Sequence, residues 1–239
     1  MEDEKVSVII STYNRFSFLQ NAIQSVKNQT YKNIEIVVVN DCSTEKEYYT
    51  HNWVDVKIIH LPVNSREIFG YPSSGFVKNQ GVEASTGTYI AYLDDDDIWL
   101  PRKIELQMKA MKATGFKMSS TDGLIGTGVY DPTKTYKIYN KEHYYNRLQE
   151  IFRSKGSPLL QNGFPTIWNY EFARVHNCMI CSSVIIEKEL LKEIKLMNCL
   201  PISKEDYDCW LRALQHTNSV YVDEPCFYYD VGHGNGQDY

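Results

Sequence analysis

Four consecutive aspartates, Asp94-Asp95-Asp96-Asp97, follow directly on the apolar run from Thr88 to Leu93. Carboxylates packed this closely repel one another unless a cation or solvent surrounds them. Hard divalent cations such as magnesium or manganese take oxygen ligands, often one or two carboxylates completed by substrate phosphates. An acidic loop of this kind therefore suits a metal-bound diphosphate. The alternative is a solvated acidic turn ahead of the helix that Pro101 opens. Two further polar clusters follow apolar runs in the same manner: Ser11-Thr12-Tyr13-Asn14-Arg15 after Lys5 to Ile10, and Asn40-Asp41-Cys42-Ser43-Thr44 after Ile34 to Val39. A pair of acids, Glu205-Asp206, opens a segment in which Trp210, Leu211 and Leu214 are the apolar residues. Read alone, a first-turn carboxylate there complements the helix dipole. No G-x-G-x-x-G follows the first run and no G-x-x-x-x-G-K-[ST] occurs in the sequence, so neither a dinucleotide site nor a P-loop is signalled.

These clusters can act together only if the elements carrying them end at one place. Lys5 to Ile10, Ile34 to Val39, Val56 to Ile59 and Thr88 to Leu93 are short β-branched or apolar runs and read as strands. Between them, Phe16 to Gln29 repeats apolar Phe16, Leu19, Ile23 and Val26 at helical spacing, and Phe76 to Ser85 reads as a helix with Gly87 as its terminator. Leu61 to Gly75, with two prolines and two glycines, reads as a loop. Near-continuous apolar strands alternating with helices imply an α/β fold with a mostly parallel sheet covered on both faces. In such a sheet, ligands bind at the carboxyl ends of the strands, where three of the polar clusters fall.

Pro101 opens a helix whose inner face is expected to carry Ile104, Met108, Met111 and Ala113. Residues 119–170 show no clear period apart from a helix around Glu142 to Ser154. Later expectations are a strand at Cys181 to Ile186, helices at Glu187 to Lys195 and Glu205 to His216, and strands at Val220 to Val222 and Phe227 to Tyr229.

The chain has 239 residues with 43% apolar and 13% aromatic side chains, enough for a substantial core. Its formal charge of −5 argues against nucleic acid as a partner, since that grip needs clustered cations. No run approaches the roughly 18 apolar residues of a spanning helix, and Met1-Glu2-Asp3-Glu4-Lys5 lacks the basic start of a signal peptide. The expectation is a soluble, cytoplasmic protein, with peripheral contact at a membrane surface left open. Six scattered cysteines read as free thiols. Cys178-Met179-Ile180-Cys181 has no second pair at zinc-ribbon distance, so it reads as buried small residues.

Four ordered segments resemble the family 2 glycosyltransferases, which are inverting, metal-dependent and of GT-A fold. They are Val6 to Arg15; Val37-Val38-Val39-Asn40-Asp41-Cys42-Ser43; Lys78-Asn79-Gln80-Gly81 with Gly87 to Trp99; and Glu205-Asp206-Tyr207-Asp208-Cys209-Trp210-Leu211-Arg212. The resemblance implies a Rossmann-like central sheet with helices on both faces and a C-terminal acceptor-binding half. It implies one domain over 1–239, with about 1–100 binding donor and about 101–239 shaping the acceptor site. Ser11, Tyr13 and Asp41 match the nucleobase pocket, the acid accepting the imide N–H of uracil, which favours a UDP-sugar; Thr12 belongs to the same donor-binding cluster. Asp94, Asp95 and Asp96 match the D-x-D motif, Asp96 as metal ligand, Asp95 toward the ribose and Asp94 supporting either. The implied cofactor is Mn2+ or Mg2+. Lys78 stands where the family usually has arginine, beside the diphosphate; lysine brings charge without the bidentate fork. Asp206 matches the catalytic base, the carboxylate that takes the proton of an acceptor hydroxyl on a glycan or other molecule. The tail Tyr228 to His233 resembles one in which the histidine lies near the metal, and His176 and Trp168 fall where acceptor residues often do.

Two other classes compete. A sugar nucleotidyltransferase would also need acids and metal, but with a glycine-rich phosphate loop after the first strand, and Ser11 to Arg15 contains no glycine. A non-catalytic nucleotide-sugar or glycan-binding protein of the same fold would have no need of both Asp96 and Asp206.

Overall fold

The computed structural model describes residues 4–201 and 204–232. Its centre is strand β1 (Val6–Thr12), buried at every position, lying parallel between β2 (Ile34–Asn40) and β4 (Tyr89–Asp94), with β3 (Lys57–His60) outside β2. Burial on both faces explains the unbroken β-branched runs. Side chains alternate across the sheet, so Val6, Val8 and Ile10 join one apolar cluster and Ile9 the other. The first cluster is closed by helix α1 (Phe16–Lys27) through Leu19, Ile23 and Val26, and by α5 (Lys103–Thr114) through Ile104 and Met111. The second is closed in part by Val82 of α4 (Ser74–Ala84) and by Cys209 and Trp210 of α9 (Glu205–Ala213). Helix α4 approaches the sheet closely because residue 81 is glycine: a Cβ there would lie 2.5 Å from Ile9 Cγ2.

Beyond β4 the sheet continues through β9 (Ile185–Glu187), β6 (Met118–Gly126) and β10 (Ser219–Asp230), with β5 (Ile98–Trp99) at the far end. β9 is antiparallel to both β4 and β6, and β10 is parallel to β6. Hence β1, β2, β3, β4, β6 and β10 all point one way and their carboxyl ends share one edge. Register levels that edge, with Ser11 opposite Asp94 and Thr12 opposite Asn40. Short strands β7 (Lys137–Ile138) and β8 (Ile167–Trp168) pair with β6 and β10. The remaining helices are α2 (Glu47–Thr50), α3 (Ser65–Phe69), α6 (Tyr145–Ser154), α7 (Tyr170–Ala173) and α8 (Lys188–Glu193). Among the described residues no helix is long and apolar enough to cross a membrane.

Several expectations are corrected. Cys181–Ser183 is a 3-10 turn rather than strand, and the strand begins at Ile185. The turn persists because the Ser182 carbonyl accepts from Trp99 Nε1 and the Ser183 carbonyl from Gln107 Nε2, partners a ladder would not supply. The region from 119 holds a nine-residue strand, β6, whose buried Ser119, Ser120, Thr121 and Asp122 hid its pattern. The two late strands are one, β10, with register shifts on either side of Pro225, which has no N–H to donate. The supposed loop from Leu61 contains α3, capped by Asn64, whose side chain accepts from Arg66 N, and ended by Gly70 at φ +78°. Helix α4 starts two residues before Phe76. Ala113 is exposed; the buried face of α5 instead carries Lys103 and Gln107. Lys103 Nζ donates to Gln107 Oε1 at 2.7 Å and lies 4.1 Å from the Trp99 ring, contacts that offset its burial only in part, since burial lowers its pKa to about 7. All six cysteines are free.

Candidate active site at the carboxyl edge of the sheet

The loops after β1 and β2 are stitched together. Asn14, in the left-handed region at φ +49°, accepts from Thr44 N at 2.7 Å, and its own N–H donates to Ser43 Oγ at 2.9 Å. Thr12 shares a 2.6 Å hydrogen bond with the Tyr48 hydroxyl, which also accepts from Arg15 N. Ser11 and Thr12 are buried at the strand end, and Tyr13 is half-buried beside them. Asp41 is fully buried. Its two oxygens accept from Ser65 N at 2.8 Å and Ser65 Oγ at 2.6 Å, at the start of α3. Burial raises its pKa and the Ser65 bonds oppose that rise.

At the end of β4 the acidic run folds into a tight turn, with Asp97 N donating to the Asp94 carbonyl. It is not a solvated turn, because Asp95, Asp96 and Asp97 are only 3%, 9% and 0% exposed. Among the described residues, two cations face the four carboxylates. Arg15 Nη1 lies 3.4 Å from Asp95 Oδ1 and 3.1 Å from Asp96 Oδ2, and Lys78 Nζ lies 2.9 Å from Asp94 Oδ1. Asp97 is used structurally: its Oδ1 accepts from Asp230 N, fastening the end of β10 to the end of β4. Burial pushes Asp95 up to about 6 against the pull of Arg15 and the Thr12 hydroxyl. Burial and the neighbouring charges of Asp95 and Asp94 push Asp96 up to about 7. Burial, with Asp96 and Asp94, drives Asp97 well upward.

This cluster fits a divalent cation. Its donors are hard oxygens, its carboxylates outnumber their cations, and Asp95 Oδ2 and Asp97 Oδ2 are buried without a hydrogen-bond partner. Among the described residues no three His, Cys, Asp or Glu side chains form a ready-made cage, so phosphate and water oxygens would have to complete the coordination.

Helix α9 brings the last acid. It approaches the start of α4 closely because residue 75 is glycine, where a Cβ would lie 2.7 Å from the Asn198 carbonyl and 3.3 Å from Glu205 Cβ. One turn on, buried Lys78 is held by Ser74 Oγ at 2.7 Å as well as by Asp94. Burial alone would lower its pKa, but Asp94, Cys181 and Glu205 outweigh that and raise it well above the ordinary value. Asp206 is partly buried and accepts from Tyr207 N at 2.6 Å. Burial, then the charge of Glu205, raises its carboxyl to about 7; Lys78 opposes the rise and Asp94 adds to it. Helix α9, which carries Asp206, thus packs against α4, the helix whose Lys78 is paired with Asp94 at the end of β4.

Sequence reasoning missed Arg15 as counter-ion, although it directly follows Asn14, and missed Ser65, whose signal was the Asn64-Ser65 helix start. Trp168 is corrected from acceptor candidate to core: it is fully buried and stacks on Tyr221 at 4.3 Å between centroids. His176 is half-buried, its pKa lowered by burial and by Lys155 and Arg147. His233 lies outside the described residues.

The parallel sheet, its acidic edge and the helices on both faces define an α/β protein of GT-A fold. It resembles Staphylococcus aureus TarS 1–349 solved with UDP-GlcNAc, at a TM-score of 0.67 and 18% identity over 98% of this chain and 60% of that one. It also resembles a Pyrobaculum calidifontis mannosyltransferase solved with GDP-Man and Mn2+, at a TM-score of 0.63 and 16% identity over 98% and 59%. Residues 7–173 match the family model described as glycosyl transferase family 2, and the chain belongs to that family. An Escherichia coli protein named UDP-Glc:alpha-D-GlcNAc-diphosphoundecaprenol beta-1,3-glucosyltransferase is 28% identical over 213 residues, 88% of this chain and 70% of its own length. An uncharacterised glycosyltransferase of Rickettsia bellii is 40% identical over 51% of this chain, and one of Rickettsia typhi 29% over 91%. The chain spans 17% and 61% of the lengths of those two relatives.

Proposed function

We propose that the chain is an inverting, divalent-metal-dependent glycosyltransferase that moves a sugar from a UDP-sugar to a hydroxyl on a glycan or other acceptor. The observation that carries this is the buried aspartate turn, with Asp95 Oδ2 and Asp97 Oδ2 unpartnered and Lys78 on Asp94; helix α4, which carries Lys78, packs against α9 with Asp206, a carboxyl that burial raises to about 7. A carboxylate tuned near neutrality is suited to taking a proton from a hydroxyl as the bond to the anomeric carbon forms. Asp96 and Asp94 would hold Mn2+ or Mg2+, whose charge would neutralise the departing diphosphate. Lys78 keeps Asp94 oriented and adds positive charge on the same side. Asp95, already bonded to Arg15, is assigned to the ribose hydroxyls, and Ser11, Thr12 and Tyr13 to the nucleoside. Asp41 shows no surface to solvent. Uracil recognition by its carboxylate therefore requires α3 to shift, after which each oxygen offers a second lone pair to the imide N–H.

Residues 1 to about 100 form the donor half and about 101 to 239 the acceptor half of a single domain in this reading. The uridine nucleotides named with the Staphylococcus structure and the E. coli relative favour a UDP donor. The E. coli protein's diphosphoundecaprenol-linked substrate makes a lipid-linked glycan, met at a membrane surface, the first acceptor class to try. Calorimetric titration of UDP with and without Mn2+, combined with UDP release from a UDP-sugar, tests the assignment. Binding that needs Mn2+ and turnover lost in Asp206→Asn support it. Metal-independent binding, or turnover kept in that variant, overturns it.

A further inference from the structure

The carboxyl ends of β6 and β10 carry a feature that the donor and base assignments leave unused. Four rings follow one another there: Tyr229 meets Tyr139 edge-on at 5.5 Å, Tyr139 meets Tyr144 at 4.9 Å, and Tyr144 meets His143 at 4.5 Å. Tyr229 and Tyr139 are half-buried, while Tyr144 is 38% exposed and His143 is also exposed. At its inner end the row lies next to the acidic turn, because Tyr229 directly precedes Asp230, whose N–H donates to Asp97 Oδ1 at 3.1 Å. The row thus runs from the aspartates outward to solvent.

This arrangement is built into the fold. Tyr139 to His143 form a π-helical turn, closed by Tyr144 N donating to the Tyr139 carbonyl, and such turns are uncommon and frequent at functional sites. The turn is fastened by Asp122, a buried carboxylate on β6 that no catalytic assignment uses. Asp122 Oδ1 accepts from Asn140 N at 2.9 Å, and Oδ2 from Lys141 N at 3.2 Å and the Tyr221 hydroxyl at 3.0 Å. Burying a carboxylate is costly, and four donors, with Gly123 N as the fourth, offset that cost here.

We propose that this row is a platform that stacks a pyranose ring of the acceptor. The inference rests on the glycosyltransferase reading, which requires a hydroxyl-bearing molecule to reach the Asp94 to Asp96 cluster. Aromatic faces carry negative electrostatic potential and attract the polarised C–H groups on the apolar face of a sugar, whose hydroxyls point outward around its rim. The surroundings match that pattern. Lys141, Glu142 and His143 are all exposed beside the rings, Lys141 paired with Asp223 and Glu142 accepting from Ile138 N, and this polar border suits a hydroxylated rim better than a hydrocarbon chain. Asp122 is a positioning residue in this scheme, acting through the turn it holds.

Saturation-transfer NMR tests the platform with the whole chain, UDP, Mn2+, farnesyl phosphate and a mixture of methyl glucoside, galactoside, mannoside and N-acetylglucosaminide. The expected result is saturation of the axial ring protons of at least one glycoside. That signal should fall at least fivefold in Tyr139→Ala and in Tyr144→Ala and stay within twofold in Tyr139→Phe and Tyr144→Phe, which keep the rings. UDP-dependent thermal stabilisation serves as the folding control; Tyr144 is exposed enough that its replacement leaves the core intact. No saturated glycoside in the parent protein, saturation of the prenyl methyls in its place, or equal signals in the alanine variants would overturn the proposal. UDP resonances in the same tube report the donor site separately, so sugar saturation without UDP saturation would sink the donor reading and leave the platform standing.

Discussion

The two ends of the active edge solve the same problem in opposite ways. Around β1 and β2, the buried acid and the loop residues that shape the edge have partners supplied by the chain: Asp41 has Ser65, Thr12 has Tyr48, and Asn14 has Thr44 and Ser43. Between β4 and α9, buried carboxylates outnumber their cations, two oxygens have no partner, and Asp96 and Asp206 are both pushed to about 7. The first region is self-sufficient and so behaves as scaffold. The second is left with uncompensated acid, and what it lacks, positive charge and a proton donor, is what a cation and an acceptor hydroxyl would bring.

The largest effect expected from breaking this contrast is on turnover. Asp206→Asn should lower UDP release from a UDP-sugar by about 10^2 to 10^4-fold, the usual worth of a positioned base, while calorimetry finds UDP binding within a few-fold of the parent. Asp96→Asn should next abolish the Mn2+ dependence of UDP binding, weakening metal-supported affinity by at least about tenfold. In the same region, Lys78→Met strips Asp94 of its partner and should cost about 1–3 kcal/mol in denaturant titrations, less than a fully buried pair would, because Asp94 is 32% exposed.

Stability against pH separates the regions further. A carboxyl whose folded pKa is raised from 3.8 to about 7 binds its proton more tightly in the native state than in the unfolded one. Its contribution to stability therefore falls as pH climbs from about 4 to about 7 and stays low above that. Asp206→Asn removes the penalty and should be more stable than the parent at pH 8 by ~1–3 kcal/mol, with little difference at pH 4, as read by urea unfolding at both pH values. The smallest effect belongs to the self-sufficient region: Ser65→Ala deletes one of the two donors to Asp41 and should cost about 1 kcal/mol without altering the Mn2+ dependence of UDP binding.

The parallel half of the sheet was legible because β1, β2 and β4 are buried on both faces, which forces apolar and β-branched residues into continuous runs. β6 was not, since Ser119, Ser120 and Asp122 satisfy their polar atoms through distant partners such as Gln107, Ser219 and Tyr221, and period-based reading penalises them for polarity. The site divides along the same line. Asp94 to Asp97 and Glu205-Asp206 announce themselves by local spacing. The role of Gly75 depends on Asn198 and Glu205, far along the chain, and that of Arg15 on acids eighty positions away, so neither could be read locally. The segment from 119 to 170, where the period gave out apart from one helix, proves to carry the π turn and its rings, which belong to tertiary contacts with β6 and β10.

The central claim is that Asp206 acts as a base tuned near neutrality within the cleft that holds the aspartate run. The most direct test is the pH dependence of UDP release from a UDP-sugar at saturating Mn2+, from pH 5 to 9. The predicted result is a rate that rises about tenfold per unit on the acid side and levels off at or below about pH 7, since burial raises the Asp206 carboxyl and the bound cation draws it back down, with the rise absent from the residual rate of Asp206→Asn. A rate flat across that range, or an acid limb that survives in Asp206→Asn, would contradict it.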